Sequence, residues 1–105
     1  MKTLKLKTIN VTVAIAGVPV KISDSPIYTN DFNFQPKISN TGTYMYLGEE
    51  STLNTKISYS TGSISNFTAG TADPVKDYFF DLSKWFLDSD TNGDIGIFQY
   101  RAYEE

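Results

Sequence analysis

Apolar residues recur at every second position along nearly the whole chain. A period of two is the pleat of a β-strand, whereas a helix needs apolar side chains three and four residues apart. Leu4 and Leu6 alternate with Lys5 and Lys7, and Ile9, Val11, Val13 and Ile15 resume the alternation one residue out of step. That slip predicts a bulge or bend near Thr8. Val18, Val20 and Ile22 make a second strand, with Pro19 marking an edge or early position. Phe32 and Phe34, then Tyr44 to Leu47, then Ile57 and Tyr59 carry the pattern onward. Tyr78 to Leu82, Trp85 to Leu87 and Ile95 to Tyr103 complete it. Ser60 to Asp73, rich in Ser, Thr, Gly and Asn, reads as an ordered loop pinned by Ile64 and Phe67. The segment from Asp77 to Trp85 could hold one short helical turn, and no window supports a longer helix.

The expected fold class is therefore all-β: a small β-sandwich or jelly-roll-like barrel of about seven or eight short strands. The chain has 105 residues, the size of one domain. Residues 1–10 read as a basic arm or first edge strand, and residues 11–105 as a single sandwich domain. The parity of the pattern places Val11, Val13, Val20, Phe34, Tyr46, Phe86 and Ile97 in the core. The last strand has apolar or aromatic side chains on both parities, which predicts a covering layer on each side.

Composition narrows the chemistry. The chain has no His and no Cys. Ser-His-Asp and Cys-His catalysis, zinc fingers, haem–His ligation and disulfides are all excluded by residue type. Asp77 with Asp81, and Asp73 before Pro74, read as strand ends and turns and not as an acid–base pair. The chain is expected to be no enzyme and to need no cofactor. Its net charge is −3, so no nucleic-acid partner is expected. No stretch reaches the roughly 18 apolar residues of a membrane span. The alternation after Lys7 is also unlike the continuous apolar run of a signal peptide. The charge is uneven, however. Lys2, Lys5 and Lys7 come with no acid among them, while eight acids face three bases from Asp73 onward. The lysines are either a solvated strand face or a basic arm that docks on an acidic neighbour.

Asp88-Ser89-Asp90-Thr91-Asn92-Gly93-Asp94 has the spacing of the first half of a calcium loop. The twelfth position is Gln99 instead of a bidentate Glu, and a strand pattern follows where a helix is required. The expectation is a hairpin turn through Asn92-Gly93, with a weak calcium site in the same turn as the alternative. The aromatics Tyr44, Tyr46, Tyr59, Tyr78, Trp85, Tyr100 and Tyr103 could be core and subunit interface, or a platform for sugars.

Three strings, in order, carry a resemblance. They are Val11 to Ile22, Asn40 to Gly48, and Asp81 to Asp88 continuing through Asn92-Gly93-Asp94 to Tyr100. This order resembles small tailed-phage virion proteins of the capsid decoration (cement), minor capsid or head-fibre type. Where such proteins carry an apolar segment before the Asp-Leu-Ser-Lys string, this chain has the longer polar stretch from Ser60 to Lys76. The resemblance implies a structural protein on the capsid exterior, present in the host cytoplasm during assembly. It implies the major capsid protein as partner and a homotrimer as the assembled form. Lys2, Lys5, Lys7, Tyr100 and Tyr103 are the candidate capsid or subunit contacts. Rival readings are a carbohydrate-binding β-sandwich module, which needs a coplanar row of exposed aromatics, and a head–tail connector or tail component.

Overall fold

The computed structural model describes residues 3–49, 57–68 and 80–104. Ten strands lie in these segments, and no α-helix does. They are β1 (Thr3–Val13), β2 (Val20–Lys21), β3 (Tyr28–Thr29), β4 (Asp31–Pro36), β5 (Tyr44–Gly48), β6 (Ser58–Ser60), β7 (Ser65–Thr68), β8 (Phe80–Asp81), β9 (Phe86–Ser89) and β10 (Asp94–Glu104). One sheet has the order β1-β10-β4-β7 and the other β2-β9-β5-β6; β3 and β8 form a small third pair. Every pairing is antiparallel. The chain is a small β-sandwich.

The core lies between the two sheets. Val11, Val13, Phe32, Phe34 and Phe98 from the first sheet meet Met45, Leu47 and Leu87 from the second. Aromatic rings fill one end of the layer. Phe32 stacks on Phe67 at 4.7 Å, Phe34 stacks on Phe98 at 4.8 Å, and Trp85 meets Phe32 edge-on at 5.4 Å. Offset stacks and edge contacts are the arrangements favoured by the ring quadrupole. Beside the Phe34–Phe98 stack Gly96 lets the sheets approach: a Cβ there would lie 2.7 Å from Leu87 Cδ2 and 2.8 Å from Phe34 Cε1.

Several sequence expectations are corrected by the register. No bulge interrupts β1, because its pairing with β10 runs unbroken from Thr3↔Glu104 to Val13↔Asp94. The slip near Thr8 is a change of face: Leu6 belongs to the outer face, and Ile9, Val11 and Val13 to the inner one. Ile97 is not core, since Gly96 and Phe98 are the buried residues on either side of it. Tyr46 and Phe86 are likewise half-buried on the outer face of the second sheet, where Met45, Leu47 and Leu87 hold the inner positions. Val20 packs against the core but is only half-buried. The expected loop after Ser60 contains β7, an edge strand paired with β4. Its Phe67 packs on the core as expected, while Ile64 is 64% exposed. Asp88 to Asp94 is not a hairpin, because β9 belongs to one sheet and β10 to the other. The segment carries the chain across the sandwich, and Gly93, with φ +85°, takes the positive dihedral there. The expectations at Lys2, Asp73, Asp77 and Tyr78 fall outside the described residues.

Beyond Tyr100, β10 loses β4 as a neighbour and, among the described residues, pairs with β1 alone. Thr3–Leu6 and Arg101–Glu104 thus form a two-stranded ribbon at one end of a molecule measuring 42 × 26 × 23 Å. The ribbon is anchored at its root. Thr29, buried, places its hydroxyl 2.8 and 2.9 Å from the carbonyl oxygens of Asp31 and Arg101.

Candidate functional site

The acidic string from Asp88 is tied to backbone amides. Asp88 Oδ1 accepts from Gly17 N at 3.0 Å and from its neighbour Ser89 N at 2.8 Å. Asn92 Oδ1 accepts from Ala16 N at 2.7 Å. Buried Asp94 accepts from Thr41 N (3.1 Å), Gly42 N (3.0 Å), Thr41 Oγ1 (3.3 Å) and Ser89 Oγ (3.3 Å). Asp90 takes the Tyr46 hydroxyl at 2.5 Å. That hydrogen bond, with burial adding to it, holds the Tyr46 hydroxyl above the usual tyrosine range. These groups therefore close three neighbouring loops instead of converging on one point. Among the described residues, no three acidic side chains gather where a metal could be held.

Of the sequence-predicted contact residues, Lys5 and Lys7 are exposed on β1, opposite Ala102 and Tyr100. They share one face of the edge strand. Tyr100 lies on that face too, but it is half-buried and packs against the core, so only part of its ring surface can meet a partner. Tyr103 pairs with Leu4 in the ribbon register. Tyr59 and Trp85 also pack against the core. Tyr44, 45% exposed, stands two residues from Tyr46 on the outer face of the second sheet.

A second feature was invisible in the sequence. The outer face of the first sheet has a concavity of about 310 Å³. Two rungs of the ladder cross it. Gln99 pairs with Asn33, and Asn33 with Asn66. Two residues further along, on the same face, Leu6 pairs with Arg101, Arg101 Nε lies 3.4 Å from Asp31 Oδ1, and Asp31 pairs with Thr68. All seven residues line the hollow. Asn33, Asn66 and Gln99 make no side-chain hydrogen bond with another described residue. In sequence these are the polar halves of alternating strands, indistinguishable from any solvated face. Only the register across four strands brings them together.

No protein-family model matches the chain, no curated protein matches it, and no solved structure matches it.

Proposed function

We propose that this chain is a structural virion protein, not an enzyme, which decorates and stabilises the outside of a tailed-phage capsid as a homotrimer. The observation that carries the reading is the β1–β10 ribbon. Its strand β1 is an edge strand that carries exposed Lys5 within the ribbon and exposed Lys7 at its root, on an acidic protein. A positive strip on a negative body fixes the orientation of approach to an acidic shell and raises the on-rate. The lack of His and Cys fits a role that needs contact area and no reactive centre. Repetition by symmetry lets weak contacts add up. The resemblance of the Val11–Ile22, Asn40–Gly48 and Asp81–Tyr100 strings to phage head proteins names the partner, the major capsid protein.

Two measurements test the proposal. Light scattering on the eluting full chain should give three times the 11.7 kDa chain mass. The chain should also co-sediment with tailed-phage heads that lack a decorating protein, and more weakly as salt rises. A monomer that ignores such heads would refute the reading.

A further inference from the structure

We infer that the hollow on the outer face of the first sheet is a binding site for a neutral oligosaccharide. This goes beyond the shell-docking reading and does not depend on it. Four observations combine. The first is charge. Asp31 and Arg101 are the charged residues of the lining, and they face each other at 3.4 Å. The site therefore offers an anionic or cationic ligand no net attraction. The second is hydrogen-bonding capacity. Asn33, Asn66 and Gln99 stand abreast on three strands without side-chain partners among the described residues. Each amide offers two donors and a carbonyl acceptor. A sugar hydroxyl is at once donor and acceptor, so a row of amides suits it better than a row of like charges would. The Asp31 contact uses Arg101 Nε, which leaves both terminal amino groups of the guanidinium available to hydroxyl oxygens. The third is an apolar wall. Leu6 is 69% exposed at the rim, where the C–H face of a pyranose can cover it. The fourth is rigidity. All these side chains project from paired strands, so little ordering cost opposes binding. The volume of about 310 Å³ lies at the lower end for small-molecule clefts, which suits a few sugar units.

The test uses the full chain and calorimetric titration with dextran, maltoheptaose, cellohexaose and chitohexaose as neutral probes. Hyaluronan and polygalacturonate oligosaccharides are the acidic ones. At least one neutral probe should bind with a millimolar or tighter Kd, and the acidic probes more weakly. The double variant Asn33→Ala/Gln99→Ala should weaken binding about tenfold or more, since each lost hydrogen-bonded pair is worth several-fold. Its melting temperature should stay close to that of the parent, because both side chains lie on the outer face. Lys37→Ala, away from the hollow, should bind as the parent does. Failure of every neutral probe overturns the inference. So does tighter binding of the acidic probes, or neutral binding that survives the double variant. Loss of binding on Tyr44→Ala with the double variant unaffected would move the site to the other sheet and overturn it equally.

Discussion

Gly96 is where the facing sheets leave no room for a side chain. A methyl group there would press on Leu87 and Phe34 at once, and both are fully buried. Gly96→Ala should therefore cost about 1–3 kcal/mol through overpacking, read from denaturant unfolding. Next to it, Ile97 and Phe34 provide a contrast. Phe34→Ala empties a fully buried site stacked on Phe98 and should cost about 3–5 kcal/mol. Ile97→Ala trims a half-buried outer-face residue and should cost about 1 kcal/mol. Equal costs would mean that the assigned faces of β4 and β10 are wrong. Asp94 carries a different kind of load. Its carboxylate satisfies the amides of Thr41 and Gly42, so Asp94→Ala leaves these donors without their acceptor. A loss of roughly 2–4 kcal/mol is expected, and calcium should do nothing to restore it.

At the scale of elements, the period of two announced strands correctly but left their faces open. Alternation is symmetric: Tyr44-Met45-Tyr46-Leu47 reads equally well with either parity inward. The structure chooses Met45 and Leu47, because tyrosine can leave its hydroxyl at the surface and the aliphatic pair cannot. The same ambiguity hid Leu87 behind Phe86 and Phe98 behind Ile97. β7 escaped notice because Ser65-Asn66-Phe67-Thr68 has a single apolar side chain, and its strand character comes from pairing with β4. The Asp88–Asp94 crossing looks like a hairpin in sequence because turn chemistry is local, whereas membership of a sheet is not. The small β3–β8 pair depends on Asp81. Its Oδ1 accepts from Ser83 N (3.0 Å), Ser83 Oγ (2.7 Å) and Ile27 N (3.3 Å), capping the 3-10 turn Leu82–Lys84. Burial pushes this carboxyl up, but the bonds from Ser83 and Ile27, with Lys84 nearby, outweigh it and hold the carboxyl below its ordinary value. A lowered folded-state value means stability present above the unfolded-state pKa and lost as pH falls through the folded-state one. Melting curves between about pH 2 and 5 should show a smaller acid-induced drop for Asp81→Asn than for the parent. An identical drop would show that Asp81 contributes nothing to acid sensitivity.

For the whole molecule, the decisive question is whether the ribbon is scaffold or contact. Its lysines bear on how copies can meet. A charged edge strand resists pairing with another edge, so Lys5 and Lys7 disfavour growth of the first sheet by fusion of two β1 strands. A trimer would then form through faces, loops or the other sheet edges and leave the lysine strip for the shell. Deleting residues 1–7 separates these roles. The deletion strips β10 of its partners from Tyr100 to Glu104 but keeps Thr8–Val13 against Gln99–Asp94. Val11 and Val13, both buried, stay in place. The shortened chain should unfold cooperatively with only a modest loss of stability, because of the removed rungs only Lys7↔Tyr100 continues onto β4, at Phe32. Its affinity for undecorated heads should fall, and the salt dependence of what remains should flatten, because the charges that screening acts on are gone. Unchanged affinity with an unchanged salt slope would discard the ribbon as the contact. A shortened chain that no longer folds would show that β1 and β10 are one structural unit to their tips, with the lysines serving to protect the edge.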